Sequence, residues 1–303
     1  MESSKLYRSK SDVIFDAIIL VILTFVFLLV AYPLYFVIIS SVSNPDAVAG
    51  GKVVWYPVGL NFRGYEEVFK NQNVVRGFVN SVFYTVLGTS LNLIVTLPTG
   101  YALSRKDFSG NRFVTVFYLI TMFVSGGMIP TYLVVKSFGF LDTVWALIVP
   151  GALGVYNMIV ARTFFKSNLP GELLEAAKLD GCGNTRFFFS IALPLSSAII
   201  AIMVLYYGIG HWNSYFSALL YLSDNKKQPL QLVLRSILVL NEAQLQKGTA
   251  STPQQLLELE KARQLVELMK YSLIIISSLP VIILYPFIQK HFVKGVMIGS
   301  VKG

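Results

Sequence analysis

The polar residues with the most informative spacing form one short run, Glu175-Ala176-Ala177-Lys178-Leu179-Asp180-Gly181, which precedes Phe189-Ser190-Ile191-Ala192-Leu193-Pro194. The chemistry open to this run is recognition by charge and shape. Glu175 offers a fixed negative charge for pairing, and the two alanines leave a smooth, narrow face that another protein's cleft can approach closely. Alanine, glutamate and lysine are good helix formers, and a glycine such as Gly181 suits the left-handed position after a helix end.

The flanking residues predict two helices at an angle. Pro170 lies where a helix can begin, with Ser167 and Asn168 nearby as caps. Glu172 falls in the first turn, where a negative charge suits the helix dipole. Asn184 can cap a second helix, so a four-residue turn separates the two.

Signals for catalysis are absent from the sequence. Gly50-Gly51-Lys52 lacks the upstream glycine and the following hydroxyl of a nucleotide-binding P-loop. No spacing is typical of a nucleophile with its base or of metal ligands. The single cysteine, Cys182, excludes an intramolecular disulfide and is interpreted as a small residue in a tight turn. The sequence therefore predicts no enzyme, no metal and no cofactor bound by this chain.

The elements that position the run are apolar. The chain has 303 residues, of which 54% are hydrophobic and 14% charged, and a mean hydropathy of +0.63, which is too apolar for an ordinary soluble domain. Six long stretches contain no Asp, Glu, Lys or Arg: Ala17–Pro45, Gly77–Ser104, Phe113–Val135, Thr143–Ala161, Phe187–Ser223 and Tyr271–Gln289. A membrane-spanning helix needs about 20 apolar residues, and strands of a closed barrel would alternate in polarity.

We therefore expect an all-α integral membrane protein with six transmembrane helices in a single domain, 1–303. The N-terminal apolar stretch is too long for a signal-peptide core and is expected to be a retained first span. A connecting loop, 163–187, carries the polar run between spans four and five, and an extracellular insert covers 223–269. The predicted spans are 14–42, 78–104, 113–135, 143–162, 188–222 and 270–290.

The basic residues predict the orientation. Six spans place both termini on one side, and the short segments of that side carry Lys5, Arg8, Lys10, Arg105, Lys106, Arg112, Arg162, Lys166, Lys178, Arg186, Lys290, Lys294 and Lys302. This bias favours cytoplasmic termini. The formal charge of +9 fits an anionic lipid bilayer surface. The basic residues are dispersed, so nucleic acid is not an expected partner.

Part of the insert 223–269 is patterned as a helix. Thr252-Pro253-Gln254-Gln255 is typical of a helix start, and apolar residues follow at helical spacing to Met269. This helix could pack on the protein's own outer face, or it could form part of a landing surface for an extracellular partner.

The spans contain few groups that could bind or move a solute. No Asp, Glu, Lys or Arg lies mid-span, as ion-coupled carriers usually require, and His211 is expected to be a hydrogen-bonded residue rather than a proton relay. Aromatic and amide side chains could line a sugar pathway, although aromatic belts at membrane interfaces and helix contacts explain each of them equally well. The candidates are Tyr156, Asn157, Tyr206, Tyr207, Trp212, Asn213 and Tyr215.

The run 175–181 with its downstream partner resembles the signature loop of ABC-importer permeases, E-A-A-x-x-D-G followed by F-x-x-I-x-L-P. The chain departs from the usual pattern at Cys182, where the family usually has Ala. In that family the loop docks on a separate ATPase. The resemblance therefore implies that the 170–194 loop couples this chain to an ATPase. The residues implied are Glu175, Ala176, Ala177, Asp180, Gly181, Leu193 and Pro194.

Further motifs resemble the sugar-importer, maltose-type permeases, closest to those for larger, polysaccharide-derived oligosaccharides. These are Asn80-Ser81, Gly100–Arg105, Ile129–Tyr132, Gly139–Thr143 and Trp212-Asn213. The end of the chain also resembles a tail that can reach into the ATPase dimer in that family, and it consists of Gly299, Ser300, Val301, Lys302 and Gly303.

The resemblance implies the permease subunit of a binding-protein-dependent importer in the bacterial cytoplasmic membrane. Its implied partners are a second permease subunit, a dimeric ABC ATPase that binds ATP and magnesium, an extracellular or lipid-anchored solute-binding protein and an oligosaccharide substrate. The residues alone leave two alternatives open. One is an autonomous channel or ion-coupled carrier, and the other is a non-transporting scaffold or receptor subunit.

Overall fold

The computed structural model describes residues 10–240 and 266–286, and the side chains of Val239 and Leu240 are not described. Every regular element among these residues is helical. The helices up to Asn168 are α1 (Lys10–Ser41), α2 (Pro45–Ala49), α3 (Arg63–Lys70), α4 (Gln72–Ser104), α5 (Asn111–Phe123), α6 (Met128–Ser137), α7 (Trp145–Ile148) and α8 (Val155–Asn168), so α8 extends into the predicted loop 163–187. The later ones are α9 (Gly171–Leu179), α10 (Asn184–Phe187), α11 (Leu193–Leu195), α12 (Ser197–Trp212), α13 (Phe216–Tyr221), α14 (Leu230–Arg235) and α15 (Val266–Pro286).

Three helices are long and apolar enough to cross a membrane: α1, α4 and α15. Two further apolar stretches are bent pairs. The pair α5 and α6 is bent by 116°, and the stretch Asn184–Leu195 is bent by 82° relative to α12. The described residues thus supply three membrane-crossing helices, or five when each bent pair counts as one span. The first bend surrounds Gly126-Gly127, next to Pro130, and such residues commonly bend membrane helices.

The predicted fourth span, 143–162, is not one helix in the structure. Helix α7 ends at Ile148, and α8 begins at Val155. Pro150 lies in the break, and proline removes a backbone donor from a helix. The predicted fifth span, 188–222, is likewise divided, at Ser196 and again between Trp212 and Phe216. Hydropathy measures apolar length only, so it could not locate these breaks.

The described residues fall into two compact units. One contains 10–70 and 266–276, and the other contains 71–240 and 277–286. In the larger unit, α4 is the helix against which α8, α12 and α14 pack. Two of its glycines permit close approach. A Cβ atom at Gly88 would lie 2.5 Å from the His211 ring of α12, and one at Gly100 would lie 2.9 Å from the Ala161 Cβ of α8. The Gly88 contact positions α12, and the Gly100 contact positions α8, which leads into α9.

Candidate functional site

Helix α9 lies where the sequence predicts it, and it begins directly after Pro170. Glu172 occupies its first turn and Lys178 its last, which matches the helix dipole at both ends. The predicted caps are different. Ser167 Oγ donates to the Thr163 carbonyl at 3.0 Å, and Asn168 Nδ2 bonds back in the same way to α8, so neither side chain caps α9.

The end of α9 is a Schellman motif. Gly181 has a φ of +71°, as predicted for a left-handed helix terminus. The Gly181 amide donates to the Lys178 carbonyl at 3.0 Å, and the Cys182 amide donates to the Ala177 carbonyl at 2.8 Å. The next helix, α10, begins at Asn184, and Gly183 rather than Asn184 occupies its cap position. The turn therefore has a defined shape, and the free Cys182 in it is partly buried against the protein's own core.

The two alanines of α9 face different surroundings. Ala177 is buried against the protein's own core. Ala176 is exposed together with Glu175, and Leu179 is 90% exposed. The expectation of one smooth face made by both alanines is therefore corrected. The face that is open to a partner carries Glu175, Ala176 and Leu179.

An aromatic cluster lies under the buried face of α9. The ring of Tyr101 at the end of α4 lies 5.7 Å from Phe165 of α8, 6.3 Å from Phe187 of α10 and 5.1 Å from Phe188. Ala177 belongs to the same buried cluster. Because close-packed interiors transmit displacement rather than absorb it, a force on α9 would pass to the ends of these helices. Leu193 is half-buried against this cluster, whereas Pro194 is exposed.

An ion-pair network ties α9 to the turn between α4 and α5. Arg105 Nε donates to Asp107 Oδ1 at 2.8 Å, a second Arg105 nitrogen contacts Oδ2, and Lys178 Nζ of α9 donates to Oδ2 at 3.2 Å. Arg105 also donates to the Tyr101 hydroxyl at 2.9 Å. The Arg105 guanidinium first, and then Lys178, hold the pKa of the Asp107 carboxyl well below its usual range. We call the contacts of Asp107 with Arg105 and Lys178 the Asp107 tie.

A second polar network lies in the interior of the larger unit. Asn92 Nδ2 on α4 donates to the carbonyls of Gly151 at 2.6 Å and Ala152 at 3.0 Å, in the break between α7 and α8. Asn92 Oδ1 lies 2.7 Å from His211 Nε2, so His211 is hydrogen-bonded as expected. The two carbonyls lie where the chain is not helical, and Asn92 supplies the donor that a helix would otherwise provide.

The candidate pathway residues divide by exposure. Tyr207 is buried, and its hydroxyl bonds Thr96 Oγ1 at 2.7 Å and accepts from the Gly154 amide at 3.2 Å. Trp212 is buried as well, and its Nε1 donates to the Ser277 carbonyl at 2.9 Å. The polar groups of both side chains form hydrogen bonds within the protein. The others leave surface open to solvent or lipid: Tyr156, Asn157, Tyr206, Asn213 and Tyr215.

Sequence reasoning did not assign roles to Asp107, Asn92 or Asp142. Asp142 has a φ of +57°, and its Oδ1 accepts from the amides of Ser223 and Asp224, both at 3.1 Å. Lys227 Nζ donates to Asp142 Oδ2 at 3.0 Å. The pKa of the Asp142 carboxyl is lowered, first by Lys227. The Gly139–Thr143 motif was a signal for this contact, because it contains Asp142.

The Asn80-Ser81 motif has a similar role. Asn80 Nδ2 donates to the carbonyls of Lys226 and Gln228 at 2.9 and 3.0 Å, and Ser81 Oγ accepts from the Leu230 amide at 2.8 Å. These bonds fix the turn before α14 against α4.

Two predicted features lie outside the described residues: the tail Gly299–Gly303 and most of the patterned helix that starts at Thr252. Within the described part of the chain, no group of three or more His, Cys, Asp or Glu side chains could hold a metal ion.

Comparisons with known proteins give one consistent result, although no family model matches the chain. The polygalacturonan/rhamnogalacturonan transport system permease protein YtcP of Bacillus subtilis (strain 168) is 37% identical over 294 residues, which cover 96% of this chain and 99% of that protein. Protein LplC of the same organism is 38% identical over 302 residues and covers 100% of this chain and 99% of its own. A chain in the crystal structure of a bacterial ABC transporter involved in the import of the acidic polysaccharide alginate matches with a TM-score of 0.84 at 30% identity, covering 95% of this chain and 100% of that one.

Proposed function

The chain belongs to the permease components of sugar ABC transport systems, and from this we propose that it forms one half of an oligosaccharide translocation pathway. A second, non-identical permease supplies the other half. A pair of ATPase subunits binds ATP and magnesium, and a separate solute-binding protein delivers the sugar.

The proposed topology has six spans with both termini in the cytoplasm of a bacterium, across its plasma membrane. Helices α1, α4 and α15 and the two bent pairs support five of these spans by length and composition. The sixth consists of α7, the break after it and α8. Asn92 of α4 donates hydrogen bonds to the Gly151 and Ala152 carbonyls in this break. This topology places α9 and Asp107 on the cytoplasmic side.

Helix α9 is the proposed coupling element. The observation that carries this role is the division of its two faces: Glu175, Ala176 and Leu179 are exposed, while Ala177 is packed on the aromatic cluster. A docked ATPase would contact the exposed face. The aromatic cluster and the Asp107 tie would then pass its movement to α4, α8 and the bent stretch that begins at α10.

Transport follows from two states of the permease pair. Closure of the ATPase dimer would draw the two docking loops together, and the pair would rock between inward- and outward-facing forms. The tail Gly299–Gly303 is proposed to reach toward the ATPase. Asp180 and Gly181 would set the angle at which α9 meets the rest of the loop, and Leu193 and Pro194 would begin the path into α12.

The proposed substrate is an acidic oligosaccharide derived from a polysaccharide. The support comes from two similar proteins, a polygalacturonan/rhamnogalacturonan transport system permease and a transporter involved in the import of the acidic polysaccharide alginate. Aromatic rings with amides nearby suit the apolar faces and hydroxyls of sugars. Four of the candidates have exposed side chains that could contact a sugar: Tyr156, Tyr206, Asn213 and Tyr215. The buried Tyr207 and Trp212 would not contact the sugar and would instead support the residues that line the pathway.

The first test is co-purification of the full chain from its host in mild detergent. We expect an ABC ATPase and a second permease to accompany it. Recovery of the chain without any ATPase, at low as well as high salt, would contradict the coupling role and favour an autonomous carrier.

A sharper test alters α9 in the reconstituted complex. We expect Glu175→Ala and Gly181→Val to lower sugar uptake per ATP hydrolysed by about tenfold while the protein still inserts. Gly181 has a left-handed backbone that a β-branched residue rarely adopts. Gly183→Val is the matched control, because Gly183 has an extended backbone and open space around its Cα. Unchanged uptake per ATP in both variants would overturn the proposed role of α9.

A further inference from the structure

The segment after α1 folds back along the helix that precedes it. From Ser41 the chain turns through α2 and returns. The Asn44 amide donates to the Val58 carbonyl at 3.0 Å, and the Asn61 amide donates to the Val42 carbonyl at 2.8 Å. Residues 58–61 therefore run beside the end of α1, and residues 50–57 form the loop between α2 and this return.

Two tyrosines of α1 hold that loop. The Tyr32 hydroxyl donates to the Val54 carbonyl at 3.4 Å, and the Tyr35 hydroxyl donates to the Trp55 carbonyl at 2.5 Å. The rings of Tyr32 and Trp55 meet edge to face at 5.4 Å. With a helical rise of 1.5 Å per residue, Tyr35 and Tyr32 lie about 9 and 14 Å before Ser41. The loop is thus tied to the side of α1 and does not simply project beyond its end.

The returning segment is uncharged and presents large apolar side chains outward. Residues 53–62 contain no Asp, Glu, Lys or Arg, and Lys52 and Arg63 flank them. The outward-facing side chains, with their exposed fractions, are Val54 (42%), Trp55 (63%), Tyr56 (73%), Leu60 (69%) and Phe62 (58%). Helix α1 beside them is apolar and exposed along its membrane-crossing stretch. The apolar surface of residues 54–62 is therefore continuous with the apolar surface of α1, a helix long enough to cross the bilayer.

We propose that residues 52–63 form an interfacial anchor, which lies in the lipid headgroup region where α1 leaves the hydrocarbon core. Trp and Tyr concentrate at this depth because their rings are apolar and their N–H or O–H groups are polar. Lys52 and Arg63 would reach the phosphates, as basic side chains do at membrane surfaces. The occupant of this surface is lipid, and the hydrogen bonds from Tyr32 and Tyr35 tie the anchor to α1.

The test uses the assembled complex in phosphatidylcholine nanodiscs that carry bromine at carbons 6 and 7 or at carbons 11 and 12 of the acyl chains. The fluorescence difference between the wild-type complex and its Trp55→Phe counterpart isolates the Trp55 indole. We expect bromine at carbons 6 and 7 to quench this difference signal at least twofold more than the deeper bromine. Aqueous iodide should have little effect.

The buried Trp212 supplies the matched control. The difference signal from Trp212→Phe should respond weakly to every quencher. Quenching of Trp55 by iodide and not by bromolipid would place the loop in water. Resistance of Trp55 to both quenchers would mean that a partner subunit covers it. Either result would overturn the anchor.

A second variant tests the tyrosine hydroxyls. In Tyr32→Phe/Tyr35→Phe the rings remain but both hydrogen bonds to the loop are lost. We expect the bromolipid quenching of Trp55 to fall and its iodide quenching to rise at least twofold, because the loop is released. Unchanged quenching in this variant would contradict the assignment of the two hydroxyls to holding the loop.

Discussion

Two polar side chains in this protein tie a helix to a non-helical segment, one at the surface and one in the interior. Lys178 of α9 pairs with Asp107 at 3.2 Å, and each of these side chains is 48% exposed. Asn92 of α4 donates to the carbonyls of Gly151 and Ala152, and it is 1% exposed. The first contact links two surface segments, whereas the second supplies hydrogen-bond donors to the non-helical segment between α7 and α8.

The environment sets the energy of each contact. An exposed ion pair contributes about 0–1 kcal/mol, because water and salt screen it. Asn92 is buried, and a buried polar group left without its partner costs about 1–3 kcal/mol. The Asn92 contact therefore belongs to the stability of the fold. The exposed Lys178–Asp107 pair can break and form at little cost.

We expect Asn92→Leu to show the largest loss of stability. The leucine has a similar shape, but it leaves two carbonyls and the His211 ring without their partner, at a cost of about 2–4 kcal/mol. Thermal unfolding in detergent would measure the loss. Thr89→Val is the matched control on the same helix, because the buried Thr89 hydroxyl has no hydrogen-bond partner among the described residues. Equal effects of the two variants would contradict the role of Asn92.

Gly88→Ala should have the next largest effect. The added methyl would lie 2.5 Å from the His211 ring, which Asn92 holds in place. Relief requires the ring or α12 to shift, and such overpacking costs about 1–3 kcal/mol. Gly210→Ala on α12 adds the same methyl in open space and should be near neutral. If Gly88→Ala unfolded at the wild-type temperature, the close packing of α4 on α12 would not limit stability.

The Asp107 tie should give the smallest change in stability. We expect a double-mutant cycle of Asp107→Asn and Lys178→Met to yield a coupling energy below about 1 kcal/mol, which falls further at high salt. Lys106→Met serves as the charge-matched control for the lysine change. A coupling energy above about 2 kcal/mol would mean that the exposed pair supports the fold as the buried amide does.

The same tie predicts a pH dependence. Because the folded pKa of Asp107 is lowered, its contribution is complete above the unfolded value of about 4 and is lost as the pH falls through the folded value. The difference in stability between the wild type and Asp107→Asn should therefore be constant from pH 7 to pH 5 and shrink only in stronger acid. Unfolding midpoints measured across this range would check the sign.

The residues alone indicated the membrane class, the position of α9 and the left-handed turn at Gly181. These features depend on local properties: long uncharged stretches, a proline before a helix and a glycine after it. The resemblance to sugar-importer permeases, rather than local chemistry, marked the Asn80-Ser81 and Gly139–Thr143 motifs, and it did not indicate the contacts that these motifs make. Local chemistry located α9 and its end, but it assigned the helix caps to the wrong residues, because Ser167 and Asn168 bond back to α8 and Gly183 occupies the cap position of α10.

Only the tertiary structure decided which face of α9 is buried and where the apolar stretches break. Ala176 and Ala177 are adjacent residues of the same type, so the sequence does not indicate which is buried. Ala177 packs against the aromatic cluster around Tyr101, whereas Ala176 is exposed. The break at 149–154 is stable because Asn92, about 60 residues earlier, supplies its donors. Hydropathy cannot reveal such a partner, since the free energy of a buried polar group depends on what lies across from it in space.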